Sequence, residues 1–289
     1  MTKIRFWGVR GSIPTPGPST VRYGGNTSCV EVSYNDSLII LDAGSGLREL
    51  GQDLLKRTPP IKANIFISHM HWDHIQGIPF FTPAFVPGNQ FNFYGGEEPD
   101  KDLATIIADQ MDPTYFPVEL KDMGAELTFN GLYEGQYKIN GYRVDTIYLN
   151  HPGNALGYKF YFDDKTLIYI SDNEPYKSYL LSQKEPEEIL IGEDATQKLI
   201  NFLQGTDLLI HDAQYTKDEY LKKVTWGHSP VDYTVYLALQ AKVKHLVLFH
   251  HDPMHDDITI DRLLEQAQKS VKDTLIKISA AYENMIIEL

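Results

Sequence analysis

Short apolar runs edged by Gly, Pro, Asn or Asp recur along the whole chain, and their β-branched and aromatic content predicts strands. They cover Lys3–Gly8, Cys29–Tyr34, Leu38–Asp42, Asn64–Ser68, Phe91–Tyr94, Tyr142–Leu149, Gly157–Phe162, Thr166–Ser171, Asp207–Asp212 and Lys244–His250. Helical patterns lie between some of them. In Asp257–Lys272, Ile260, Leu263, Leu264, Ala267 and Val271 return at the spacing of one helix face. Ser229, Pro230 and Asp232 read as a helix start, with Ser at the cap, Pro in the first helical position and an acid at the third. Val231, Val235, Ala238 and Leu239 give that helix its buried stripe. The last stretch, Ile276–Leu289, reads as two short strands around Tyr282-Glu283-Asn284. Strands alternating with helices in both halves predict an α/β fold. No repeat, low-complexity stretch or flexible linker interrupts residues 1–289, so one domain is expected. Residues 101–132 are the least regular and read as an insertion covering a site.

Composition narrows the class. A chain of 289 residues, 42% hydrophobic, can bury a full core. Its net charge of −13 argues against long nucleic acid as a partner, because such binders neutralise many phosphates with clustered Lys and Arg. A small anionic substrate then needs a local source of positive charge. One cysteine, Cys29, excludes an intramolecular disulfide framework and a Cys-based zinc knuckle, as a reducing cytosol would suit. No apolar run reaches the roughly 18 residues of a membrane span, and Met1–Phe6 lacks the apolar stretch of a secretion signal. A cytoplasmic protein without membrane contact is the expectation.

His69-Met70-His71-Trp72-Asp73-His74 carries the chemistry. It follows Ile65-Phe66-Ile67, a predicted buried strand. In extended chain, residues two apart point the same way, so His69, His71 and Asp73 converge just past the strand. On a helix the first two would diverge by about 200°. Neutral imidazoles and a carboxylate suit Zn²⁺, and also Mn²⁺ or Fe²⁺. Asp42, closing a strand, is expected to hold a ligand imidazole by its other nitrogen. Gly24-Gly25 and Gly44-Ser45-Gly46 read as tight turns, and Arg10 as a substrate cation or a structural partner.

With this motif the chain resembles the metallo-β-lactamase superfamily, whose signature is His-x-His-x-Asp-His after a strand. Gly8-Val9-Arg10-Gly11-Ser12-Ile13-Pro14, Tyr23-Gly24-Gly25-Asn26-Thr27-Ser28 and Leu41-Asp42-Ala43-Gly44-Ser45-Gly46 are similar to its phosphodiesterase branch. That branch holds tRNase Z, phosphoribosyl cyclic phosphodiesterases and cyclic-nucleotide phosphodiesterases. The resemblance implies a four-layer αββα sandwich with a dinuclear metal site. It implies that His69 and His71 bind one metal and Asp73 and His74 the other. It also implies His151 as a third-motif ligand, Asp172 as the bridging carboxylate, and His250, or its neighbour His251, as the last ligand. Asp73, His228 and Asp212 fall among the catalytic groups. His211-Asp212-Ala213 resembles the branch's His-Glu-Ala-Thr motif, and Gly227-His228-Ser229 its Gly-His-Ser motif, in which the histidine faces the scissile phosphate and the acid orients it. His255 reads as a surface histidine. The implied mechanism is attack on phosphorus by a hydroxide shared by two metals about 3.5–4 Å apart, with His228 protonating the leaving oxygen.

His151 and Asp172 are 21 positions apart, which leaves no room there for the long tRNA-binding arm of tRNase Z. A single cysteine cannot build the extra zinc site of the phosphoribosyl enzymes. The expected substrate is therefore a small phosphodiester, a 3′,5′-cyclic nucleotide, with Trp72, Tyr115 and Phe116 as candidate stacking rings. An RNA 3′-end nuclease of tRNase Z type and a thioesterase or lactonase on the same metals are the alternatives. Related enzymes suggest a homodimer.

Overall fold

The protein is described by a computed structural model over residues 1–97, 100–176 and 193–289. Contacts divide the chain into two compact units, 1–133 with 281–289, and 134–280. The first holds β1 (Thr2–Gly8), β2 (Cys29–Tyr34), β3 (Ser37–Leu41), β4 (Lys62–Ile67), β5 (Gln90–Gly96), β6 (Glu126–Leu132) and β14 (Ile286–Glu288) in one sheet, ordered β14-β1-β2-β3-β4-β5-β6. The second holds β7 (Gly135–Ile139), β8 (Tyr142–Tyr148), β9 (Leu156–Phe162), β10 (Lys165–Ile170), β11 (Leu208–Asp212), β12 (His245–Phe249) and β13 (Lys277–Ala280), ordered β13-β12-β11-β10-β9-β8-β7.

Both sheets follow one plan. β1, β2 and β3 are antiparallel neighbours and β3 to β6 run parallel; β7 to β10 are antiparallel and β10 to β13 parallel. Parallel neighbours need crossovers, which pass through helices Gly46–Leu54, Leu103–Asp109, Glu193–Leu203, Val231–Gln240 and Asp257–Ser270 and, between β4 and β5, through short helical turns. Helix Gly46–Leu54 turns Leu47, Leu50 and Leu54 into a core with Trp7, Ile40, Ile65 and Phe91. Each such side chain contributes about 1.5–3 kcal/mol on burial. In the second unit, Leu237 and Ala238 and then Ile260, Leu263 and Ala267 form the buried stripes of their helices. Crossovers of this kind gather loops beyond the carboxyl ends of the parallel strands, where α/β sheets place their chemistry.

The expected strands are present with ends shifted by a residue or two. The helix start at residue 229 shifts by one: Pro230 is the cap residue, and Ser229 instead donates its backbone N–H to Asp212 and its hydroxyl to the Asn173 carbonyl. The stretch 101–132 is more regular than its sequence suggests. It contains helix Leu103–Asp109, capped by Asp102, a 3-10 turn Leu120–Asp122, and β6. The edge position of β6 lets Glu126, Thr128 and Asn130 break the apolar pattern that marks a buried strand. No helix among the described residues is long and apolar enough to cross a membrane.

Candidate metal centre

In the first unit the chemistry sits beyond the parallel strands β3 and β4. β4 is buried from Ala63 to Ile67 and apolar there but for Asn64, so the chain leaves it with Ser68 and His69 at the strand end. His71 keeps an extended backbone, but Trp72–Ile75 forms one helical turn. The alternation expected for His69, His71 and Asp73 therefore reaches only His71, and the turn brings Asp73 and His74 back toward the others. His69 Nε2 lies 2.9 Å from His71 Nδ1, and the His69 and His74 ring centres are 4.2 Å apart. His74 Nε2 lies 3.2 Å from Asp73 Oδ2, which also accepts from the Ser12 backbone N–H at 2.7 Å. Gly44 permits this packing, since a Cβ there would lie 2.2 Å from the Asp73 carbonyl oxygen.

Asp42 follows β3 with φ +57° and no exposure, an αL exit that Asp tolerates better than most residues. Its Oδ2 accepts from His74 Nδ1 at 2.7 Å and from Ser68 Oγ at 2.9 Å, and its Oδ1 from Ser68 N at 2.7 Å. Asp42 thus holds one imidazole of the cluster, that of His74, by its Nδ1.

In the second unit Asp172 follows β10, Asp212 ends β11, His250 follows β12 with φ +60°, and His151 lies in the loop after β8. Asp172 is the meeting point. His250 Nε2 lies 3.3 Å from its Oδ1, and His151 Nε2 and His228 Nδ1 lie 3.8 and 3.5 Å from its Oδ2. The ring of His250 faces Asp172 through Nε2. His228 Nδ1 is also 3.4 Å from Asp212 Oδ2, near it but without hydrogen-bond geometry. Asp212 has a structural task too: it accepts from the backbone N–H groups of Asn173, Gln214 and Ser229.

The tautomers test whether these groups suit a divalent cation. Asp42 and the Gly227 carbonyl can only accept, so Nδ1 of His74 and Nδ1 of His151 (2.8 Å from Gly227 O) carry the proton. His250 Nδ1 faces the Gln214 amide oxygen at 2.9 Å in the same way. Each Nε2 then presents a lone pair toward a carboxylate oxygen: Asp73 for His74, Asp172 for His151 and His250. Lone pair against anion is repulsive unless a proton or a cation lies between. Imidazole and carboxylate donors with the distal nitrogen fixed by an acceptor are the usual surroundings of a bound metal, so the residues fit the group.

Other expectations sort as follows. Arg10 is fully buried and its Nε donates to the Gly24 carbonyl, a structural task. His255 is not a surface residue. It is buried, and its Nε2 pairs with Glu219 at 3.0 Å. Burial would raise the Glu219 pKa, but this bond and those from Thr216 outweigh it and hold the carboxyl down to about 2. Trp72 and Tyr115 are exposed, and Phe116 packs edge-on against Phe80. Sequence reasoning did not single out Gln214 or Glu174. Only the closeness of Glu174 to Asp172 in the chain could have pointed to it.

The β-lactamase superfamily domain, as a family, matches residues 38–251. A ribonuclease Z of Thermoplasma acidophilum is 24% identical, over 94% of this chain and 92% of its own length. Among solved structures, the metallo-β-lactamase fold protein YhfI of Bacillus subtilis superposes with a TM-score of 0.68 at 16% identity, covering 100% of this chain and 99% of its own. The short form of human tRNase Z superposes with a TM-score of 0.64 at 18% identity, covering 99% and 98%. These likenesses establish the metallo-β-lactamase fold, an α/β fold, over the full chain. Such a fold implies divalent metal ions.

Proposed function

Because the chain belongs to the β-lactamase superfamily, we propose that it is a divalent-metal phosphodiesterase of the ribonuclease Z type, which cleaves a phosphodiester near the 3′ end of an RNA. The curated relatives that share its length are named ribonuclease Z, which weakens the expectation, drawn from net charge, that long nucleic acid is excluded. The single observation that supports the chemistry is the set of imidazoles whose Nδ1 is committed to a backbone or side-chain acceptor while Nε2 faces a carboxylate.

In this proposal His69, His71, Asp73, His74, His151, Asp172 and His250 hold two divalent cations, zinc by donor type, with manganese or iron as alternatives. When bound, such cations offset charge on phosphoryl oxygens and lower the pKa of water at neutral pH. The remaining steps belong to side chains. Asp212 Oδ2, 3.4 Å from His228 Nδ1, would orient that ring so that Nε2 points away from it, where it would carry a proton for the departing oxygen. Gln214 and Gly227 fix the orientations of His250 and His151, and Asp42 that of His74.

A second reading, hydrolysis of a small phosphodiester such as a 3′,5′-cyclic nucleotide, is favoured by the 21-position separation of His151 and Asp172 and by the charge of −13. The test is turnover of bis-p-nitrophenyl phosphate with Zn²⁺ or Mn²⁺, followed by a tRNA precursor with a 3′ trailer and by cyclic AMP and cyclic GMP. Chelator-sensitive turnover with trailer removal supports the first reading, and turnover of cyclic nucleotides alone supports the second. A metal-loaded protein inert toward every phosphodiester but active on thioesters or lactones would remove both.

A further inference from the structure

The segment that delivers His228 is clamped. Glu174 is buried and accepts through Oε1 from the Thr225 N–H at 2.6 Å and the Tyr220 hydroxyl at 2.9 Å, and through Oε2 from the Gly227 N–H at 3.1 Å. Thr225 has φ +78° and Gly227 φ +88°. A β-branched residue at positive φ is strained, and such strain persists only where the surroundings over-determine it. The residue between these two, Trp226, is 61% exposed and two positions from His228. Nothing about core packing asks for a clamped, strained backbone that turns an indole into solvent.

The chemistry around Trp226 is unlike that of the chain at large. Against a net charge of −13, residues 217–226 carry three lysines, Lys217, Lys222 and Lys223, to two acids, Asp218 and Glu219, while Asp252 pairs with Lys223 from outside the segment. Lys223 Nζ lies 4.2 Å from the Tyr215 ring centre, 5.8 Å from that of Trp226 and 2.9 Å from Asp252, while Lys222 is exposed. An exposed indole with the Lys223 ammonium 5.8 Å from its ring matches the way single-stranded nucleotides are held, base on an aromatic face and phosphate near a cation.

We infer that Trp226 is the stacking platform for the base of the nucleotide next to the scissile phosphodiester, held beside His228 by the Glu174 clamp. The inference rests on the phosphodiesterase reading and narrows its substrate to those carrying a base. Adenosine monophosphate should quench the tryptophan fluorescence of the wild-type protein, ribose 5-phosphate should not, and Trp226→Phe should remove the quench. With oligoadenylate as substrate, Trp226→Ala should raise KM about 5- to 150-fold at unchanged kcat, the range that loss of one base–aromatic stack gives, and Trp226→Phe should restore part of it. A quench that persists in Trp226→Phe, or an unaltered KM in Trp226→Ala, overturns the assignment while leaving the phosphodiesterase reading intact. A metal-loaded wild-type protein inert toward every phosphodiester sinks that reading instead, and the fluorescence experiment needs no turnover.

Discussion

Asp42→Asn isolates the device on which metal binding is argued to depend. The Ser68 backbone N–H, 2.7 Å from Oδ1, cannot change its role, so the asparagine oxygen must take that position. Its NH₂ then replaces Oδ2, 2.7 Å from His74 Nδ1, and two donors face each other. Relief comes by moving the imidazole proton to Nε2, where it points at Asp73 Oδ2 3.2 Å away and makes a hydrogen bond with a carboxylate. A cation that needs the Nε2 lone pair must first reverse this. A hydrogen bond to a charged group is worth about 1.5–3 kcal/mol, so affinity should fall roughly 10- to 150-fold. That agrees with the 10- to 100-fold typical of lost outer partners of ligand histidines. Competition with a chromophoric chelator for Zn²⁺ and Mn²⁺ at pH 7 measures the affinity, and ¹⁵N imidazole shifts report the His74 tautomer. Wild-type affinity with His74 still protonated on Nδ1 would refute the tautomer argument.

Three further outcomes are expected. His228→Ala should retain its metals yet lose about 10²–10⁴ in turnover of substrates with poor leaving groups, and less with p-nitrophenyl esters, whose leaving group needs no proton. Gly227→Ala should weaken metal binding and lower the unfolding midpoint in denaturant: its Cβ would meet His151 Nδ1 at 2.2 Å, and φ +88° costs an L-residue about 1–2 kcal/mol. His245 is held down to about pKa 4 from 6.5, by burial first and then by Lys277. The unfolded chain therefore binds its proton more readily, and the contribution of His245 to stability is full above pH 6.5 and is lost as pH falls toward 4. Denaturant unfolding at pH 4.5 and 7 should show a flatter acid limb in His245→Gln, and an unchanged limb would discard that account.

The chain by itself determined most of the elements and the residue types that gather at the candidate metal centre. Ile65-Phe66-Ile67 followed by His-x-His-x-Asp-His could be read directly, because strand periodicity and residue chemistry are local properties. The edge strand β6 could not: it is polar on one face, and among the described residues no strand lies beyond it in its sheet. Nor could the repeated plan of the two sheets, since backbone pairing places no demand on side-chain identity. Tertiary structure alone decided which acceptor holds each imidazole. Asp42 and His74 are 32 positions apart, Gln214 and His250 36, and His151 and Gly227 76. Such pairs meet because strand ends and their following loops are carried together by sheet order, and no rule of sequence spacing encodes that distance. The same holds for Glu174 and Thr225, 51 positions apart, whose bond turns Trp226 outward.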